Sequence, residues 1–140
     1  MNKSRILILE DALPAVKVLR ASLGERHDLV FIPNEHHALS LLRSEHFDLI
    51  ICRVFLEEAD PFQFLHAVRS DERLQKVPFI CFAGLQTKRA RQLNEALAKS
   101  FLKLGAAGYI KIDDYCIDES FDIDKLRADI EHFLLNSHVA

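Results

Sequence analysis

The stretch Ile6-Leu7-Ile8-Leu9-Glu10-Asp11 sets four consecutive aliphatic residues directly against two carboxylates. A short unbroken apolar run of this kind reads as a strand covered on both faces, because a half-exposed strand would alternate apolar with polar residues. Leu29-Val30-Phe31-Ile32, Asp48 to Cys52 and Val77 to Phe82 have the same character, and Ala107 to Ile112 is a weaker fifth run. Helical spacing fills the gaps. Pro14 suits a first turn, after which Val16, Leu19 and Leu23 recur at three- and four-residue steps. Asn34 is placed to cap a helix carrying Ala38, Leu39, Leu41 and Leu42, and Asp60-Pro61 starts another with Phe64, Leu65 and Val68 on one face. A fourth helix is expected from near Thr87, with Leu93, Leu97, Phe101 and Leu104 along one stripe and Gly105 ending it. The last, about Asp122 to Asn136, has the cleanest amphipathic pattern, in Ile123, Leu126, Ile130, Phe133 and Leu134. Asp113 to Phe121 reads as one long irregular piece, acidic and turn-like.

Five apolar strands alternating with five helices imply right-handed βαβ units, hence an α/β fold with a doubly wound parallel sheet covered on both faces. Such a sheet opens its ligand crevice at the carboxyl ends of the strands. The residues there are Glu10 and Asp11 after the first strand, Arg53 after the third, Ala83 and Gly84 after the fourth, and Lys111 to Asp113 around the fifth.

Composition narrows the function classes. With 140 residues, 49% hydrophobic and 28% charged, the chain suffices for one good core, and a single domain over residues 1–140 is expected. Its longest apolar or small run, Phe79 to Leu85, is far short of the ~20 residues of a membrane span. The start, Met1-Asn2-Lys3-Ser4-Arg5, meets an acidic pair after only four apolar residues, without the apolar stretch of a signal peptide. A cytoplasmic protein with no membrane contact is expected. Eighteen basic against twenty-one acidic residues, a formal net charge of −3, gives no global electrostatic reason to bind nucleic acid. Gly24, Gly84, Gly105 and Gly108 form neither a dinucleotide fingerprint nor a phosphate loop, so no nucleotide or other cofactor is expected. Cys52, Cys81 and Cys116 lack the close spacing of metal ligands and read as small buried hydrophobes with reduced thiols. The one adjacent histidine pair, His36-His37, reads as surface.

Four stretches, in order and at matching spacing, carry a family likeness: Ile6 to Asp11, Asp48-Leu49-Ile50-Ile51-Cys52, Val77-Pro78-Phe79-Ile80, and Leu104-Gly105-Ala106-Ala107-Gly108-Tyr109-Ile110. The segment from Ala67 to Leu74, leading into Val77-Pro78, adds a fifth. Over roughly residues 5 to 135 the sequence resembles the receiver domain of two-component response regulators. The resemblance implies a flavodoxin-like three-layer sandwich with strand order 2-1-3-4-5. It also implies a site with two acidic residues for Mg²⁺, a phosphoryl-accepting aspartate after the third strand, a hydroxyl after the fourth and a lysine after the fifth. Glu10 and Asp11 match the acidic pair, with Asp11 the expected direct metal ligand. The rest departs. Arg53 occupies the acceptor position and has no carboxylate to attack a phosphoryl donor; Ala83, at the hydroxyl position, cannot hydrogen-bond a phosphate. The lysine position falls on Ile112, with Lys111 one residue early and therefore on the opposite strand face, and Asp113 stands where a proline is usual.

A guanidinium at position 53 is expected to pair with Glu10, Asp11 or both, supplying the positive charge of the displaced metal; the other reading has it swung out to solvent. Either way it opposes Mg²⁺, because cations a few Å apart repel by on the order of several kcal/mol at intermediate dielectric. The acidic pair equally suits the plain role of capping the first helix. No nucleophile or oxyanion donor accompanies it for acid–base catalysis. Glu57-Glu58 either adds carboxylates to the crevice or is solvated loop charge. Tyr109 matches the family's switch-like aromatic; with Ala83 beneath it, the tyrosine is expected to rest inward permanently, the alternative being an ordinary half-buried tyrosine. Lys88, Arg89 and Arg91 crowd a helix start, where the dipole disfavours cations. They read either as a solvated face or as a docking patch for an acidic partner. Asp113, Asp114, Asp118, Glu119, Asp122 and Asp124 are a candidate complement on a second copy.

The favoured function is a degenerate, non-phosphorylatable receiver without enzymatic activity, binding other signalling proteins or pairing as a homodimer through the fourth helix, fifth strand and fifth helix. The alternatives are an atypical receiver retaining phosphorelay or metal-dependent activity through other carboxylates, such as Asp48, or the receiver portion of a longer DNA-binding regulator. Only Ser137-His138-Val139-Ala140 follow the last helix, so the output is expected to come from another protein.

Overall fold

Side chains alternate across a strand, and the apolar runs use this to feed two cores, one on each face of the sheet. The computed structural model describes residues 3–54, 60–84 and 88–139, with side chains at all of these but 88–91 and 135–139. Its main elements are β1 (Arg5–Leu9), α1 (Leu13–Leu23), β2 (Asp28–Ile32), α2 (Glu35–Ser44), β3 (Leu49–Arg53), α3 (Pro61–Ser70), β4 (Phe79–Ala83), α4 (Lys88–Lys103), β5 (Gly108–Lys111) and α5 (Ile123–Val139). The five strands form one parallel sheet in the order β2-β1-β3-β4-β5, the doubly wound arrangement expected from the sequence.

Leu7, Leu9, Ile50, Cys52, Phe79 and Cys81 face α2, α3 and α4, where they meet Ala38, Leu42, Phe64, Leu65 and Phe101. Their strand neighbours Ile6, Ile8, Leu49, Ile51, Ile80 and Phe82 face α1 and α5, against Leu19, Leu23, Leu126 and Ile130. Phe64, Phe79, Phe82 and Phe101 are fully buried, each stabilising the fold by ~2–3 kcal/mol relative to exposure. Asn34 and Asp60 cap α2 and α3 as expected, accepting from His37 N at 3.1 Å and Phe62 N at 2.9 Å. His36 and His37 are exposed.

Arg69 locks the amino ends of β4 and β5. Its Nε donates to Gly105 O at 2.9 Å, and its Nη1 donates to Leu74 O at 3.1 Å and Val77 O at 2.9 Å. Gly105 ends the turn after α4 with φ +110°, a conformation that favours glycine. Gly108 lets α5 approach β5, since a Cβ there would lie 2.3 Å from the Phe133 ring.

Three expectations need correction. The stripe on α4 is narrower than predicted: Phe101 is buried and Leu97 partly so, but Leu93 and Leu104 are 54% and 49% exposed. At 100° per residue, Phe101 and the buried Asn94 define the inward direction, and Leu93 and Leu104 fall well to its side. The piece from Asp113 to Phe121 is also more ordered than a long loop. It forms a 3-10 turn (Ile112–Tyr115) and a small antiparallel hairpin of β6 (Cys116–Ile117) and β7 (Ser120–Phe121). Asp118 turns that hairpin at φ 57°, a conformation aspartate tolerates. Tyr115 is buried in the α1/α5 core, which anchors the turn. Finally, Cys52 and Cys81 are buried free thiols, but Cys116 is exposed because it lies on the hairpin rather than in the sheet.

Candidate functional site at the carboxyl ends of the strands

Register brings the acidic pair and Arg53 together. Leu9 pairs with Cys52, so the next residue on each strand, Glu10 and Arg53, emerges side by side at the carboxyl edge. Arg53 Nη1 lies 2.7 Å from Asp11 Oδ1 and 3.2 Å from Glu10 Oε1. One guanidinium nitrogen thus bridges two carboxylates. The contacts are unequal in setting: the Glu10 side chain is 1% exposed and the Asp11 side chain 44%.

Glu10 is the unusual member. Its Oε1 accepts from Asp11 N at 3.1 Å and Ala12 N at 3.0 Å, while Oε2 is buried with no hydrogen-bond partner. Burial raises its pKa above the ordinary glutamate value, and the Ala12 amide and the Arg53 charge pull it back only in part. The acidic pair does not cap α1 by side chain. Ala12 holds the N-cap position, no acidic residue lies in the first turn, and Glu10 instead fixes the turn that leads into the helix.

The remaining positions are held by Ala83, Lys111 and Ile112, and none of the three bears a hydroxyl. Ala83 is buried as the last residue of β4, paired in register with Lys111. Lys111 forms an ion pair with Asp114 at 3.9 Å. Ile112 is buried in the α1/α5 core and lines the same crevice as Arg53. The one-residue offset in the sequence is therefore a real exchange of faces, with Tyr109 on one side and Ile110 and Ile112 on the other. Nor do the residues fit Mg²⁺, since the guanidinium lies within contact of both carboxylates that would bind it. Among the described residues, no group of three or more His, Cys, Asp or Glu is placed to hold a metal ion.

Tyr109 packs partly buried against the α4 side of the sheet, 6.3 Å from the Phe101 ring, and its hydroxyl donates to Asn94 Oδ1 at 2.7 Å. Burial pushes its pKa up to about 12. The sequence reading missed Asn94, although a polar residue one heptad before Phe101, on the inward face of α4, signals a buried hydrogen bond. It also missed Cys116 and Phe121, which reach the crevice from the hairpin.

α4 begins at Lys88, but the side chains of Lys88, Arg89 and Arg91 lie outside the described residues, as do Glu57 and Glu58. Within the acidic segment, Asp122 Oδ1 accepts from Lys125 N at 3.0 Å and caps α5, and Asp124 pairs with Arg127 at 2.9 Å. Among the described residues, no helix is long and apolar enough to cross a membrane.

No family model and no curated protein matches the sequence. Solved structures do match. The chain is similar to the phosphorylated cyanobacterial phytochrome response regulator RcpA, at 20% identity over 97% of this chain and 96% of that one, with a TM-score of 0.75. NtrX from Brucella abortus gives 18% identity and a TM-score of 0.77 over 99% of this chain, which is 28% of its own. The signal receiver domain of a signal transduction histidine kinase from Syntrophus aciditrophicus gives 23% identity and a TM-score of 0.69, over 95% and 91% of the two chains. At such identities the likeness is one of fold: the chain has the five-stranded, doubly wound fold of response regulator receiver domains.

Proposed function

We propose that this chain is a receiver-fold signalling module that accepts no phosphoryl group at position 53 and acts by binding other proteins. The observation that carries the reading is the Arg53 guanidinium between Glu10 and Asp11, in the space where a receiver of the resembled kind would gather its metal and acceptor carboxylate. A cation there opposes both Mg²⁺ and the approach of the phosphoryl donor's counterion. Ala83 supplies no hydroxyl, and Lys111 forms an ion pair with Asp114.

With phosphorylation removed, binding falls to a surface of fixed shape. The Tyr109–Asn94 hydrogen bond supports one resting position for this aromatic, on the face formed by α4, β5 and α5. That face, with the basic start of α4 at Lys88, Arg89 and Arg91, is the proposed docking surface for a signalling protein or a second copy. Neither a catalytic group nor a cofactor is assigned.

Incubation with acetyl phosphate and Mg²⁺, followed by intact mass measurement, tests the reading. The expected result is no phosphoryl adduct, and amide spectra unchanged by beryllofluoride. An adduct mapping to Asp11 or Asp48, or a beryllofluoride-dependent shift at Tyr109, would contradict it.

A further inference from the structure

Between α1 and the β6–β7 hairpin, at the carboxyl end of the sheet, lies a cavity of about 260 Å³. Pro14 and Val18 line it from α1, Cys116 and Phe121 from the hairpin, and Ile112 and Arg53 from the strand ends. We propose that this cavity binds a small apolar carboxylic acid, with its hydrocarbon body between α1 and the hairpin and its carboxylate on the Arg53 guanidinium.

Size and lining set the body of the ligand. The volume lies just below the ~300–1,000 Å³ typical of drug-sized sites, so the occupant is small. The walls are largely apolar, and exposed apolar residues flank them in sequence: Leu13, between Ala12 and Pro14, is 63% exposed, and Ile117, beside Cys116, is 54% exposed. Arg53 sets the head group, being the one charged residue in the lining among the described residues. It meets Asp11 and Glu10 through Nη1 alone, and its Nη2 and Nε have no hydrogen-bond partner among the described residues. The Nε–Nη2 edge of a guanidinium offers two parallel N–H donors at the spacing of a carboxylate. Asp11, nearly half exposed, is the internal competitor for that charge and can be rehydrated when a ligand carboxylate arrives. This inference rests on the Arg53 geometry and the cavity, not on the signalling reading; a chain that accepts phosphate elsewhere would still present both.

The test uses hexanoic, benzoic and phenylacetic acids and their primary amides at millimolar concentration. Two readouts serve: amide NMR shifts at Val18, Arg53 and Phe121, and protection of Cys116, the exposed thiol, from alkylation by iodoacetamide. At least one acid should bind about ten-fold more tightly than its amide, the margin of a charge-assisted pair. Asp11→Asn should strengthen acid binding several-fold, Arg53→Gln should erase the preference for acid over amide, and Val18→Trp should abolish binding of both. Should Arg53→Gln fail to fold, the acid–amide comparison and Asp11→Asn still decide. Equal binding of acids and amides, or no protection by any acid, would overturn the proposal.

Discussion

Arg69 and Arg53 sit at opposite ends of the same sheet and use the guanidinium in opposite ways. Arg69, at the amino ends of β4 and β5, gives its donors to three backbone carbonyls, Gly105 O, Leu74 O and Val77 O. Burial lowers its pKa, a cost met by those acceptors and by packing of its stem against Gly105. Arg53, at the carboxyl edge, gives one nitrogen to two carboxylates and leaves an edge uncommitted beside a cavity. Its neighbour Glu10 keeps a buried oxygen without a partner. Arg69 spends Nε and Nη1 on backbone carbonyls and holds two strand ends together. Arg53 spends Nη1 alone, on two carboxylates, one of which carries the unsatisfied buried oxygen.

The two arginines should therefore fail differently when removed. Arg69→Ala strands part-buried carbonyls and deletes a packed stem, and should cost about 3 kcal/mol in urea denaturation, nearly independent of pH around neutrality. A loss below 1 kcal/mol would place the ends of β4 and β5 under some other constraint. Arg53→Met should cost about 2 kcal/mol at pH 7, because it leaves a buried carboxylate without its cation, and the loss should shrink as the pH falls and Glu10 takes up a proton. A pH-independent loss would mean that Arg53 is structural in the same sense as Arg69. Tyr109→Phe removes one partly buried hydrogen bond and should cost about 1 kcal/mol, with the phenolic step at about 12 lost from the ultraviolet spectrum while that of Tyr115, raised further by burial, remains.

The smallest effect is a slope. Burial raises the folded-state pKa of Glu10 above 4.5, so the native protein holds a proton that the unfolded chain has released. Its contribution to stability falls as the pH rises from the ordinary glutamate range through the raised folded value, and is constant above that. Glu10→Gln should remove this slope, and Arg53→Met should extend it to higher pH. Stability measured across that window in the three proteins checks the sign.

Most of the architecture is written in local pattern. Runs such as Ile6 to Leu9 declare strands covered on both faces, and Asn34 and Asp60 declare helix starts that the hydrogen bonds bear out. The encounter of Glu10 with Arg53 is also legible, since it follows once β1 and β3 are neighbours. Other features depend on contacts distant in sequence. Nothing local says that the acidic piece after β5 folds back as a hairpin, because Tyr115 and Phe121 are anchored by a core that α1 and α5 build. The same hairpin turns Cys116 outward and makes the cavity. The buried side of α4 departs from the stripe for a related reason: apolar spacing defines an arc from Leu93 to Phe101, and the helix buries only its Phe101 edge, beside which Asn94 lies.

The central claim is that Arg53 holds the place of a metal, and a Mg²⁺ titration followed at the Asp11 amide tests it most directly. No saturable shift is expected in the native protein, while Arg53→Asp, which adds a carboxylate and removes the cation, should acquire one. Saturable Mg²⁺ binding at Asp11 with Arg53 in place would contradict the account.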